Sequence, residues 1–518
     1  MKGMKILAAV LAGLWLVLGV LTGCAPDKAS PERDGKTFVL GDTSFNGENE
    51  EPDINPHNAY SGWACIRYGV GETLFRYTDA MEIEPWLAES CERPDDRTWK
   101  ITLREGIRFS NGRIVDGEAV KECLEHLIRV HSRARRDLQI DGISAEGRTV
   151  TVTTAEPRPA LLRYLSDPYS CIIDMKAGIS GDGIVTGTGP YRAVSLKSGE
   201  ELDLVKNENY RGGSPGFDRV KVLTISEGDT LAMALRSGEI DGAYGIPYVS
   251  YPLFRNEDFV FSGCATGRAF LLQMNFRSPL TGESAVRRAV AMGIDKERFV
   301  RDVLGGNGYP AEGIWPAQFS FGGRVKGRAY DPEGAKAVLE AAGWVDTDGD
   351  GIREKDGKKL EIRWLTYPSR QELPLLAEAA QADLRKIGMA VHITVTTDHN
   401  RLRKDPGSWD VYAGAMVTAP TGDPAYFFGS RCLERSSAND GHYRSSRLEA
   451  LAEELDRTFE PARRAELAAE MEQILLEDDA FVFCSYIQMN LISRADIAGL
   501  TAHPCDFYEI TAALRPAE

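Results

Sequence analysis

None of the nine cysteines stands in a C-x-x-C pair, no long block of lysines and arginines occurs, and beyond residue 20 no apolar run is long enough to span a bilayer. Without paired cysteines, zinc-ribbon, iron–sulfur and thioredoxin-type readings lose their main support. Without a basic block, and with a formal net charge of −16, the chain is not read as a nucleic-acid binder, because phosphates are held mainly by clustered cations. The acidity keeps the chain soluble and does not repel a cationic ligand. Catalytic signatures are missing too: there is no G-x-S-x-G elbow, Walker A loop, H-E-x-x-H or complete G-x-G-x-x-G, so the chain is not read as an enzyme. The nearest approach, Gly187-Thr188-Gly189-Pro190-Tyr191, has a proline where a helix-opening amide is needed and reads as a turn before a strand.

Metal motifs are present only in part. Asp346-Thr347-Asp348-Gly349-Asp350-Gly351 copies the first half of a calcium loop, but position 12 is Gly357, so a polar hairpin turn before a strand at Leu360 is expected. There are seven histidines, and His126 and His131, on one predicted helix, point about 140° apart and cannot chelate one ion together. A metal site must therefore be assembled from distant segments or completed by a chelator that arrives with the metal. The eight cysteines after Cys24 permit disulfides, yet a chain this long does not need them for a core. Cys123 and Cys484 lie in apolar patterns that suit buried free thiols.

The start of the chain is informative about location. Lys2 and Lys5 precede an apolar run from Ile6 to Val20, closed by Leu21-Thr22-Gly23-Cys24. This pattern predicts a secretory signal over 1–23, with Cys24 as the lipidated first residue of the mature chain and 24–36 as a polar tether. The protein is then a membrane-anchored lipoprotein on the extracytoplasmic face, at a cell surface or in a periplasm. An uncleaved anchor is the alternative, but small residues directly before a cysteine favour cleavage. The remaining length allows two or three domains.

Periodicity gives a mixed α/β class with more than one sheet. Alternation marks strands at Trp99–Arg104, Thr149–Thr153 and Leu202–Val205. Residues 116–131 place Val120, Cys123, Leu124, Leu127 and Ile128 on one helical face. Asp331-Pro332 opens a helix that stops at Gly343. Leu360–Tyr367, about 371–387, and Val391–Thr396 read as strand, helix and strand, a βαβ unit with parallel strands. Helices at about 446–458 and 461–477 lead into a strand at Ala480–Ser485.

A series of short motifs then resembles one family. Pro52-Asp53-Ile54-Asn55-Pro56-His57, Gly71-Glu72-Thr73-Leu74-Phe75, Pro85-Trp86-Leu87-Ala88 and Thr98–Arg104 with Phe109-Ser110-Asn111-Gly112 are similar to the solute-binding proteins of peptide/nickel ABC importers. The series continues through Gly187–Tyr191, Gly238-Glu239-Ile240-Asp241 and Val286-Arg287-Arg288-Ala289-Val290 with Ile294-Asp295, and covers nearly all of the mature chain. Ala419-Pro420-Thr421-Gly422-Asp423-Pro424 and the tail His503–Ile510 look most like nickel or nickel-metallophore binders.

The resemblance implies a two-lobed periplasmic-binding-protein-like α/β fold of class II type, with a hinge crossed twice and an extra subdomain in lobe one. Mapped on this chain, lobe one takes 37–267 with the subdomain near 60–180, lobe two takes 268–484, and 485–518 returns to lobe one. It implies a monomer that encloses a nickel chelate between the lobes and delivers it to an ABC permease with its ATPase, with no cofactor of its own. The alternative cargo is an oligopeptide or dipeptide. In similar nickel binders the cleft uses aromatic side chains, an arginine for chelator carboxylates and a histidine from lobe two. Carried over by motif, these are Tyr60 or Trp63, Tyr244, Tyr248, Thr421, Arg431 and His442, with His442 as the metal ligand. The stretch Leu165–Ser170 lacks the arginine that some nickel–chelate binders place there, which leaves Arg133, Arg135 or Arg136 as substitutes, and Arg135 is named for the role.

Overall fold

The computed structural model describes residues 36–45, 53–58 and 62–518. The signal over 1–23, Cys24 and Tyr60 lie outside the described residues. No described helix is long and apolar enough to cross a membrane.

One eleven-stranded sheet organises the molecule. Two long antiparallel strands, Phe259–Met274 and Phe481–Arg494, form its middle and are shared by both lobes. On one side Gly242–Tyr244, Thr37–Asp42, Arg219–Thr224, Glu201–Lys206 and Tyr191–Lys197 complete lobe one. On the other side Val411–Val417, Glu361–Thr366 and Ala390–Val395 belong to lobe two. The long pair loses its register between Ala265, opposite Gln488, and Ala269, opposite Tyr486. Such a break locally disrupts the ladder and lets the strands bend at 266–268 and 487. Thr266 marks the spot: its hydroxyl donates to the Ile487 carbonyl at 2.9 Å and accepts from the Arg268 amide at 3.1 Å.

Local sequence accounts for the regular elements. Glu361–Thr366 and Ala390–Val395 pair in parallel, joined by the helix Glu372–Arg385, as the βαβ pattern requires. Leu373, Leu376, Ala380 and Leu384 fall on the helix face buried against Ile362 and Trp364. Asp331 caps the helix Pro332–Ala341 by accepting from the Gly334 amide at 2.8 Å, and Gly343 follows with φ +89°. Gly117–Val130 forms the expected amphipathic helix with Asp116 as its cap. It covers a separate antiparallel sheet of Ala88–Asp95, Thr98–Leu103, Thr149–Thr154 and Ile140–Glu146. The strand expected at Ala480–Ser485 is much longer, reaching Arg494, because its buried residues continue on both faces. Gly187–Tyr191 is the turn before a strand that the proline predicted.

The eight described cysteines are all free thiols, and Cys123 and Cys484 are buried. The side chains of Asp346, Asp348, Asp350 and Glu354 converge at the expected hairpin turn, where Lys359 pairs with Asp348 and Asp350. His131 caps the helix Ser132–Leu138, while His126 meets His57, Nδ1 to Nδ1, at 2.8 Å. The ring centroids of this pair are 5.0 Å apart, close to the largest separation that the N–N contact allows, so the two nitrogens face one another and share one proton.

Candidate functional site: the cleft between the lobes

At the break in the long strands lies a cavity of about 510 Å³ with walls from both lobes. Lobe one supplies Trp63, Arg67, Arg133, Asp167, Tyr169, Tyr244, Tyr251 and Asp506, and lobe two supplies Arg370, Val417 and Pro420. Thr266, Gly267, Arg268 and Gln488 form the hinge wall. Besides the hinge strands, the lobes meet where the Arg93 guanidinium lies 3.6 Å over the Phe459 ring and where the Ser320 amide donates to the Ala80 carbonyl at 3.3 Å. Gly422 sits against Met81 and Arg163 in the same way.

Arg67 organises the lobe-one wall. It comes from the last turn of the short helix Gly62–Arg67, one turn after Trp63, so that both project to the same side. The guanidinium lies 4.3 Å from the Trp63 ring centroid and 5.0 Å from that of Tyr244. It donates to the Ser44 hydroxyl and the Asp506 carbonyl, each at 2.9 Å. Three carboxylates surround it: Glu509 at 3.2 Å, Asp506 at 3.5 Å and Asp42 at 3.6 Å. Burial opposes the charge of Arg67, but Glu509, Asp506 and Asp42 outweigh it and hold the group well above its ordinary range. Glu509 itself is driven up by burial, with Arg67 opposing, and its oxygens accept no hydrogen bond. The arginine thus serves as a rigid strut for two aromatic faces rather than as a free cation.

Arg133 is committed in a similar way. It pairs with Asp167 and with Asp137 at 3.3 Å, and it lies 5.1 Å over the Tyr169 ring. Arg268 and Arg370, in contrast, belong to no ion pair among the described residues. The Cys505 thiol, 3.0 Å from His503 Nδ1, also borders the cavity. Burial lowers His503 to about 4, so that ring is neutral at ordinary pH.

Of the residues named from sequence, the structure brings Trp63 and Tyr244 together in this cavity. The other described ones lie elsewhere. Arg135 faces outward and donates to the Ile128 carbonyl at 2.8 Å; Arg133, two positions earlier, lines the cleft instead because residues two apart on a helix diverge by about 200°. Tyr248 lies beside Gly305, outside the cavity, whereas Tyr251 of the same turn borders it. Thr421 is buried behind Pro420, and its hydroxyl has no partner. Arg431 sits on the other face of the strand Val411–Val417, with Nε 2.8 Å from Met416 Sδ, while Val417 faces the cleft. His442 follows Gly441, whose carbonyl accepts from the Phe276 amide at 2.8 Å, beyond the end of the strand Phe259–Met274. That position is roughly 20 Å or more along the strand from Arg268, so the His442 imidazole does not reach a metal held in the cavity. Of the unanticipated lining residues, Tyr169 and Asp506 fall in the stretches Leu165–Ser170 and His503–Ile510 already singled out and Arg67 stands one helical turn after Trp63, whereas Arg268 and Arg370 carry no local motif.

Comparison with known proteins accords with this architecture. Residues 82–438 match the family described as bacterial extracellular solute-binding proteins, family 5 middle. The nickel-binding protein NikA of Staphylococcus aureus is 25% identical over 446 residues, which is 86% of this chain and 89% of that protein. A crystal structure of a nickel ABC transporter from Bacillus halodurans superposes with a TM-score of 0.83 at 28% identity, covering 92% of this chain and 99% of that one. NikA from Brucella suis, in complex with Fe(III)-EDTA, superposes with a TM-score of 0.80 at 25% identity, covering 93% and 100%. With its two lobes, shared hinge strands and family match over most of its length, the chain belongs to the bacterial extracellular solute-binding proteins of family 5.

Proposed function

We propose that this protein captures a compact nickel chelate between its lobes and hands it to an ABC permease and its ATPase. The observation that carries the reading is the cavity of about 510 Å³ at the hinge, walled by Trp63 and Tyr244 on one lobe and by arginines on both. That volume suits a small molecule, and aromatic faces with a few charged groups are the usual lining for one. The nickel-binding relatives of similar length support the choice of cargo. The protein binds without chemical change of its ligand, acts as a monomer and is tethered through acyl chains on Cys24, with lobe boundaries near 267 and 484. Ligand contacts from both lobes stabilise a closed form, and the permease distinguishes that form from the open one. His442 has no part in this reading.

Thermal unfolding of the mature chain with nickel alone, nickel plus histidine, nickel plus a carboxylate-rich chelator, and a pool of short peptides tests it. A ligand at about a hundred times its dissociation constant should stabilise by roughly 2.7 kcal/mol. Stabilisation by a nickel mixture, weakened in Trp63→Ala, is the expected result. A shift with peptides alone would replace the nickel reading with an oligopeptide binder.

A further inference from the structure

Three buried cysteines converge behind the lobe-one wall of the cavity, and the capture of a ligand uses none of them. Cys65, on the helix Gly62–Arg67, and Cys171, just past the turn Pro168–Ser170, are fully buried, and Cys123, on the helix Gly117–Val130, is 1% exposed. The backbones of the first two segments touch: a Cβ added at Gly62 would lie 2.9 Å from the Tyr169 amide nitrogen. Between the two cysteines run Gly71, whose amide donates to the Cys65 carbonyl at 3.0 Å, and Glu72, whose carbonyl accepts from the Ile172 amide at 2.9 Å. A Cβ at Gly71 would meet Cys65 Sγ at 2.7 Å and Cys171 Sγ at 3.2 Å, so the two sulfurs fill the space that a side chain there would take.

The third thiol has other partners. Cys123 Sγ accepts from the Ile173 amide at 3.4 Å, donates to the Cys171 carbonyl at 3.6 Å and lies 3.7 Å from His57 Nε2. Cys171 is turned to Cys65 instead: burial, and next the neighbouring Cys65 thiol, raise it well above the ordinary thiol range. Both are thiols in this structure. A thiol enclosed in this way holds little thiolate and reacts slowly once the protein is folded, so the time for oxidation is while the chain folds.

We propose that Cys65 and Cys171 close a disulfide as the exported chain folds, while Cys123 stays a thiol. The inference rests on the reading of the chain as exported; its family is extracellular, and outside the cytoplasm such bonds persist. The oxidant is a second disulfide, small or protein-borne. The thiolate of one cysteine attacks it to form a mixed disulfide and release one thiol, and the thiolate of the other cysteine then displaces the second. Two S–H bonds break and one S–S bond forms in the chain; two electrons and two protons leave with the oxidant, which ends as two thiols. The bond joins two stretches that build the cavity, for Trp63 and Arg67 flank Cys65, and Asp167 and Tyr169 precede Cys171. It braces the lobe-one wall from behind and closes a long loop of the unfolded chain.

Peptide mapping without reductant, after alkylation in denaturant, tests the bond on two samples: the chain exported by a bacterial host, and the mature chain refolded with oxidised and reduced glutathione. Peptides carrying Cys65 and Cys171 should be linked in both, with Cys123 alkylated. Linkage in the refolded sample alone keeps the pair and removes the reading of the chain as exported. Free Cys65 and Cys171 in both samples, or a link from either to Cys123, overturns the proposal. Dithiothreitol should lower the urea midpoint of the oxidised wild type and of Cys123→Ala, and leave Cys65→Ala and Cys171→Ala unmoved; equal sensitivity in all four also overturns it. Reduction of the wild type should quicken amide exchange over 62–71, and unchanged exchange there would strip the bond of its bracing role.

Discussion

Trp63 and Arg67 show how one side chain can serve folding and binding together. The indole covers the guanidinium on one side and faces the cavity on the other. Trp63→Ala should cost about 2 kcal/mol in urea unfolding through lost packing and the lost cation–π contact. It should also weaken ligand binding about tenfold by calorimetry, whereas unchanged binding would remove Trp63 from the contact surface. Two buried titratable groups predict opposite pH dependences. Glu472 accepts from the Ile314 amide at 2.6 Å, its other oxygen has no partner, and burial raises it to about 8. The unfolded chain loses this proton first, so the folded state loses stability as pH rises from about 4.5 to about 8, at up to about 1.4 kcal/mol per unit. Urea titrations at pH 5 and pH 8 should show Glu472→Gln gaining on the wild type at the higher pH. His57 has the opposite sense: burial, and next the His126 charge, lower it to about 3. The unfolded chain takes up that proton near pH 6.5, so its contribution is complete above that value and declines as pH falls towards 3. His57→Gln should therefore gain relative to the wild type between pH 6.5 and pH 4, and a constant difference would exclude the neutral buried pair.

At the scale of elements, legibility followed how local the determinant was. Caps, helix faces and the βαβ unit depend on residues a few positions apart, and Asp331-Pro332, Leu376 and Leu384 carry those signals in one short stretch each. Asp331→Ala should cost about 1 kcal/mol in chemical unfolding, because the Gly334 amide loses its acceptor. No loss would mean that water replaces the cap without penalty. The strand Phe259–Met274 left no comparable trace: from Ala265 to Met274 all but Arg268 are buried, so the apolar/polar alternation of a half-exposed strand is absent. Its partner was seen only as far as Ser485, although pairing runs on to Arg494. The two elements that join the lobes were thus the hardest to read, since a strand enclosed on both faces has no period to report.

For the whole molecule, the lobes also meet at Gly422, close to the cavity residues Met81 and Pro420. Gly422 has φ +63°, and a Cβ there would come within 2.7 Å of the Met81 carbonyl oxygen and 2.6 Å of Arg163 Nη1. Gly422→Ala should open the cleft, which scattering would register as a larger radius of gyration, and should weaken ligand binding about tenfold. An unchanged radius would show that the loop yields without moving the lobes. The sequence by itself determined the α/β class, the helix boundaries set by caps and glycines and the family likeness, because these depend on local pattern or on the order of motifs along the chain. Only the tertiary structure decided which charges border the cavity. It set Arg133 rather than Arg135 against the cleft, took His442 to the far end of a long strand and, among the described residues, left Arg268 and Arg370 without carboxylates. Such outcomes depend on where distant segments meet and on which carboxylates are already taken, and neither is written in the spacing of residues along the chain.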